Sequence, residues 1–426
     1  MRCSLAITGG IVVCAVSWSW AARAEEPKAP GEPAVMREPS ERFVVSDSFD
    51  EGDPFDIAIG LAYEARIARA AIGRESGDHV KRVAGFTAVT SKLLPTLEIG
   101  LYRDLALTLG FPIVLSETRE LSPAGGATSG SIAAGDEALV LLPMESIERS
   151  GLEHLAFGMR ATPLNQSRSA DFPTWSVGAE ARVAIGPTRR ACTSSPAEGQ
   201  VACAKPGDVD RDGQRDPGEP DLGEPATPGL ARGTAGLAFS TAIGRRVRYV
   251  VPYGTVDVLV EIPLPGSLFE EASLGETLLP PVEATAGLGM AVIPWENREK
   301  FTRLDIDTRV TATYRSGGLD YSEAFDAIGA SDAGSLRVLR DDSVVTGLTT
   351  VAPYGVFGLE SSLVWQASAF IKLALGARVQ YELSHAITDD DEGDPAYRSV
   401  ISRANERLVV LDSFVGAIRV RAAVSF

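Results

Sequence analysis

The chain closes on Val409-Val410-Leu411-Asp412-Ser413-Phe414-Val415-Gly416-Ala417-Ile418-Arg419-Val420-Arg421-Ala422-Ala423-Val424-Ser425-Phe426, and the alternation in this stretch decides the fold. Counting back from Phe426 by twos gives Val424, Ala422, Val420, Ile418, Gly416 and Phe414. Between them stand Ser425, Ala423, Arg421, Arg419 and Ala417. A β-strand sends successive side chains to opposite faces, so one face here is apolar and the other carries two arginines. The run is long enough to cross a bilayer when tilted.

Eleven further segments of period two precede it, near 55–69, 82–102, 104–118, 151–163, 173–186, 234–248, 251–264, 281–294, 301–316, 351–365 and 369–385. In the first, Ile57, Ile59, Leu61, Tyr63, Ala65 and Ile67 share a face opposite Glu64 and Arg66. In the ninth, Leu304, Ile306, Val310 and Ala312 oppose Asp305, Asp307, Arg309 and Thr311. Soluble sandwiches alternate as well. Several runs here reach twelve residues or more, however, beyond the roughly 5–6 usual in soluble domains.

Loop lengths separate the two possibilities. Short connections follow the even-numbered segments, as at Tyr102-Arg103-Asp104 and Gln366-Ala367-Ser368, with a somewhat longer turn through 165–171. Long ones follow most odd-numbered segments, at 119–150, 187–233, 265–280, 317–350 and 386–407; the exception is the first, Gly73 to Asp78. Short turns on one side and long loops on the other are the asymmetry of a barrel in an outer membrane. The expectation is an all-β, transmembrane, antiparallel up-and-down barrel of about twelve strands over 54–426, sealed by pairing of the last strand with the first. Tyr102, Trp175, Tyr249, Tyr253, Trp295, Tyr354 and Trp365 fall near segment ends, where interfacial aromatic girdles form.

The amino end agrees. Met1-Arg2, a mostly apolar run from Leu5 to Trp20 and the small-x-small site Ala22-Arg23-Ala24 read as a cleaved secretory signal over 1–24. Its removal leaves 38 basic residues against 57 acidic ones, a charge of −19, which excludes a basic nucleic-acid surface. Residues 25–53, rich in Pro, Glu and Ser, read as a periplasmic linker.

One parity set points inward: Glu64, Arg66, Glu98, Arg160, Glu180, Arg182, Asp257, Glu261, Asp305, Asp307, Arg309, Lys372, Arg378, Glu382, Arg419 and Arg421. These either line an aqueous passage that sorts solutes by charge or pair into a network that fills the interior. Twelve strands lie between filled barrels of about eight and open porins of 16–18.

The long loop 187–233 carries the sharpest local motif. Asp208, Asp210, Asp212, Asp216 and Glu219, with Gly213 at the sixth place and the Gln214 carbonyl at the seventh, have the spacing of a calcium loop. Arg215 stands where an apolar residue normally packs, and Pro217 argues against a following helix. Cys192 and Cys203 in the same loop are expected to form a disulfide in an exported chain. A second acidic run, Asp389 to Asp394, reads as a solvated external loop. Only three histidines occur, His79, His154 and His385, without a Gly-x-Ser-x-Gly motif, so an outer-membrane hydrolase is the minor alternative and no catalytic residue is assigned.

The closing strand resembles the terminal strand of Gram-negative outer-membrane barrels, in which a final Phe belongs to the assembly signal. Gly100 to Leu107, Ala161 to Arg168 with Pro173-Thr174-Trp175, and Val292 to Lys300 look like hairpins of uncharacterised outer-membrane barrels of a porin or transporter type. The resemblance implies outer-membrane lipid, lipopolysaccharide and the barrel assembly machinery as partners. Passage or binding of a small solute is the implied role, and a structural or adhesive barrel whose loops bind a partner or calcium is the alternative.

Overall fold

A computed structural model describes residues 36, 38–46, 48, 57–134, 137–191, 228–272, 279–331, 346–389, 401 and 405–426. Twelve strands form a closed antiparallel ring. In chain order they are β1 (Ile57–Ser76), β2 (His79–Tyr102), β3 (Leu105–Gly110 and Ile113–Pro123), β4 (Arg149–Leu152 and Leu155–Leu164), β5 (Thr174–Val183) and β6 (Thr234–Gly244). Then follow β7 (Val250–Pro263), β8 (Glu283–Asn297), β9 (Thr302–Arg315), β10 (Tyr354–Gln366), β11 (Ile371–Glu382) and β12 (Leu408–Ser425). β12 returns to β1 with Ala58 opposite Ser425 and Ile67 opposite Gly416. Phe426 itself completes the seam, its amide donating to the Ile57 carbonyl at 2.8 Å and its carbonyl accepting from the Ile57 amide at 3.1 Å.

The short connections at 103–104, 165–173, 245–249, 298–301 and 367–370 share the end where Ile57 meets Phe426, the near end. The far end carries the longer ones. The first hairpin is tighter than the sequence suggests: β1 runs on to Ser76, and the chain reverses at Gly77-Asp78, where Gly77 has φ 57°. An L side chain rarely adopts that conformation, so glycine permits the two-residue turn. β3 likewise continues to Pro123, and part of the expected loop 119–150 forms a hairpin, Gly130–Ala134 with Glu137–Leu142. Pro112, which has no N–H to give the ladder, separates the two pieces of β3.

Outward residues are apolar around the ring. Leu61 on β1, Phe157 on β4, Phe239 on β6, Leu288 on β8, Val310 on β9, Leu359 on β10 and Ile418 on β12 are all exposed, Leu288 to 76%. A water-soluble protein rarely exposes a continuous apolar band of this extent, whereas lipid requires one. No helix among the described residues is long and apolar enough to cross a membrane; strands are the elements that would cross.

The buried cores lie inside the ring, at its two ends. At the far end Ile72, Phe86 and Leu121 on the inner wall pack with Ile328, Ile387 and Leu408. Beside them Leu268, Phe269, Leu319, Tyr321, Phe325 and Leu348 bring loop segments, including the short helix Phe325–Gly329, together as a cap. At the near end Phe43 packs with Ala242, Val251, Tyr253, Ala291 and Ile293. Phe43 belongs to the segment expected to be a linker. Residues 36, 38–46 and 48 occupy the near mouth, where Phe43 finds apolar partners on the inner wall that composition alone does not reveal and Met36 and Val45 are buried as well.

Candidate functional site: the barrel interior

The near-mouth plug is held by polar contacts as well as by Phe43. Arg303 donates through Nη1 to the Glu38 carbonyl at 3.0 Å while pairing with Asp305 at 2.8 Å. Asn165 donates to the Glu38 carboxylate at 2.6 Å, and the Ser46 amide donates to Glu98 at 2.6 Å. Arg42 reaches inward, its guanidinium 4.9 Å from the Tyr253 ring centroid and 3.9 Å from Asp307. Tyr253 donates to Asp307 at 2.5 Å.

Two of the aromatic positions assigned to girdles are therefore interior. Tyr253 and Tyr354 are buried, Tyr253 under the plug and Tyr354 stacked on His385 at 3.7 Å between centroids. Parity explains the difference: Tyr253 lies on the inner face of β7 with Val251 and Thr255, whereas Tyr102, Trp175, Tyr249, Trp295 and Trp365 are exposed.

The cap at the far end is tied down by buried ion pairs. The fully buried Arg149 donates to Asp326 at 2.5 Å, and Arg119 lies 3.5 Å from the same carboxylate. Arg189 pairs with Glu117 at 2.5 Å. Arg232 spans Glu261 at 3.0 Å and Asp320 at 2.7 Å, and Arg315 adds a contact to Asp320 at 2.9 Å. Burial works to raise the Asp320 carboxyl, but Arg232 and Arg315 outweigh it and hold the group at about 2. In the same cap burial pushes the Glu323 carboxyl above its ordinary value.

Between plug and cap the interior is polar. A cavity of about 820 Å³ is lined by Glu98, Arg160, Glu180, Arg182, Asp257, Arg309, Lys372, Arg419 and Arg421 together with Arg42. A second, of about 380 Å³, is bounded by Glu64, Asp307, Glu360, Arg378 and several of the same cations. A third, of about 220 Å³ beneath the cap, contains Arg66, Lys92, Glu153 and Glu382.

Many of these groups are paired across strands. Arg419 donates to Glu64, and Arg309 pairs with Glu360 at 2.5 Å while Arg378 lies 4.0 Å from the same carboxylate. Arg160 lies 3.5 Å from Glu98 and Ser413 donates to Glu382 at 2.6 Å, while Arg182 pairs with Glu180 of its own strand at 2.7 Å. Glu261 and Asp305 serve the cap and the plug through Arg232 and Arg303.

Several interior groups escape the sequence reading. Glu360 follows Gly358 and precedes Ser362 on one face of β10, and Arg303 shares a face with Asp305 and Asp307; parity alone could find both. Arg42 could not be found that way, since its segment has no periodicity. The three histidines stand apart: His79 opens β2 at the exposed hairpin tip, His154 lies between the two pieces of β4, and His385 is buried against Tyr354. Cys192, Cys203, the residues from Asp208 to Glu219, and all but Asp389 of the second acidic run lie outside the described residues.

No protein-family model matches the chain, and no curated protein matches it. Solved structures do. An outer membrane channel from Pseudomonas putida F1 is 11% identical, with a TM-score of 0.42 over 88% of this chain and 96% of that one. A Pseudomonas aeruginosa FadL homologue is 10% identical at a TM-score of 0.37, over 93% and 96%. The beta domain of the Bordetella autotransporter BrkA is 10% identical at 0.36, over 86% and 100%. The chain itself is a closed twelve-stranded antiparallel β-barrel.

Proposed function

We propose that this chain is a narrow channel of the Gram-negative outer membrane for small solutes, held shut at its near mouth by residues 38–46 with 36 and 48. One observation carries the reading: a charged cavity of about 820 Å³ lies inside a wall whose outer surface is apolar. Structural support alone needs no such polar void, while passage of a hydrophilic molecule does. Delivery by a cleaved signal over 1–24 and assembly from the strand ending at Phe426 belong to the same proposal, with the near end facing the periplasm. The test is conductance of the purified full-length chain in a planar bilayer, compared with a variant lacking residues 36–48. Small, flickering currents in the first and larger ones in the second are expected; silence from both sinks the channel. The cross-strand ion pairs favour a second reading, a structural or adhesive barrel, and that reading predicts the silence.

A further inference from the structure

The plug's Arg42 is held as a bound cation would be. Its guanidinium carbon lies 4.9 Å from the Tyr253 ring centroid, and its Nε lies 3.9 Å from Asp307. The Tyr253 hydroxyl donates to the same carboxylate at 2.5 Å, so ring and acid form one unit. An aromatic face beside a carboxylate is the chemistry that recognises guanidinium and ammonium groups. Asp257, on the inner face of β7 with Tyr253, adds a second carboxylate to the wall of the adjoining 820 Å³ cavity.

Strand register builds this seat from the wall alone. Gly289 on β8 stands opposite Tyr253 on β7 and Arg309 on β9, and Ala291 stands opposite Asp307. The small residues of β8 let the Tyr253 ring lie across that strand toward Asp307; a Cβ on Gly289 would collide with the ring and its hydroxyl. Arg309, two residues from Asp307 on the same face, is paired with Glu360 at 2.5 Å. Arg42 fills the seat loosely. Its 3.9 Å ion pair exceeds the roughly 2.7–2.9 Å of a charge-assisted hydrogen bond, and its Nε is buried without a hydrogen-bond partner. The plug backbone, fixed by Phe43 and by Arg160 donating to the Arg42 carbonyl at 3.2 Å, stops the guanidinium short. A free guanidinium has no such tether, and the 380 Å³ cavity bounded by Arg42 and Asp307 gives it room.

We propose that Tyr253 and Asp307 form a binding site for small organic cations bearing a guanidinium or ammonium group, which Arg42 occupies from within the chain, so that such a solute unseats the plug by competition. The site itself stands on the geometry of the seat; its use in opening rests on the channel reading above. A tethered occupant competes at an effective concentration on the order of millimolar, so the free cation must reach that range.

Methylguanidinium is the probe, and N-methylurea, its neutral counterpart of the same shape, is the control. Calorimetry on the full-length chain in detergent should show methylguanidinium binding to Arg42→Ala, where the seat is vacated. Binding to the native chain should be about tenfold or more weaker, because Arg42 competes from within. It should be lost in Arg42→Ala/Asp307→Asn, and heat-modifiable gel mobility checks that the barrel is folded; Arg42→Ala/Tyr253→Leu serves if that variant is not. In the native chain methylguanidinium, and not N-methylurea, should increase protease cleavage within residues 38–46. Absence of binding to Arg42→Ala overturns the site, and binding that survives loss of Asp307 or Tyr253 overturns its assignment to this seat. Cleavage raised by both compounds, or by neither, overturns the competition. Release of the plug by the probe without current in a planar bilayer keeps the site and removes the channel. Current with no probe binding in either chain keeps the channel and removes the site.

Discussion

The Phe43 ring lies against Gly244 so closely that a Cβ on the glycine would stand 2.7 Å from its Cζ. The contact joins a segment without periodicity to the end of β6, and it seats the near-mouth plug. Phe43→Ala should remove about 3–5 kcal/mol from docking of the plug while leaving the barrel assembled. Gly244→Leu should evict the plug by the opposite route, since the ring and the new side chain compete for one space. Protease cleavage within residues 36–48 and single-channel current are the measurements; a plug equally protected in both variants would contradict its seating by this contact.

Closure by the last strand is open to chemical test. Ala65 and Ile418 stand opposite each other on the outer face of the seam. The pair Ala65→Cys/Ile418→Cys should oxidise to a disulfide, whereas Ala65→Cys/Phe414→Cys, two outward positions further along β12, should not. Peptide mapping reads the cross-link. Efficient linkage of the second pair would mean a slipped register.

Arg149 is fully buried and holds the cap through Asp326. Arg149→Ala leaves a buried carboxylate without that partner, so the cap should lose about 3–5 kcal/mol. The effect belongs to docking of residues 318–330, and hydrogen exchange there should rise sharply while the strands stay protected. Arg149→Met/Asp326→Leu, which removes both charges, should recover most of the loss.

Asp320 gives the cap its pH dependence. Its carboxyl sits near 2 in the folded cap, below the ordinary 3.8, because Arg232 and Arg315 outweigh burial. A depressed carboxyl contributes stability above its unfolded value and loses it as pH falls toward the folded one. The cap should therefore stay closed at pH 5 and loosen between about pH 4 and 2, by on the order of 2 kcal/mol. In Asp320→Asn it should be loose at pH 7, with this part of the acid transition gone. Hydrogen exchange across the range decides it.

The apolar belt makes a quantitative demand on the surroundings. Leu288 is the most exposed of the large apolar side chains on the strands and lies within β8. Leu288→Arg should destabilise the barrel in lipid vesicles by about 2–4 kcal/mol, as a charge on a lipid-facing position does. A neutral effect in denaturant titration would argue against lipid on that face.

Twelve strands, the sorting of short and long connections, and the seam between β1 and β12 are all legible in the residue pattern. The reason is local: period two is a property of each strand, and Glu64, Arg419 and Arg421 declare their face through immediate neighbours. Tyr253 and Tyr354 lie inside rather than in a girdle because parity sets them on the inner faces that carry Asp257 and Glu360, and an interior partner covers each. Phe43 offered Tyr253 an edge and His385 offered Tyr354 a stacking surface.

The sequence by itself determined a closed ring, apolar outside and charged within, because alternation binds every residue to a face before any long-range contact forms. Only the tertiary structure decided what fills the ring. The plug around Phe43 and the cap around Arg149 and Asp326 join residues far apart in the chain, and their stability comes from burial and ion pairing that no local pattern encodes. The same holds for the seat of Arg42, where Tyr253 and Asp307 meet only when register sets β7 and β9 on either side of Gly289 and Ala291.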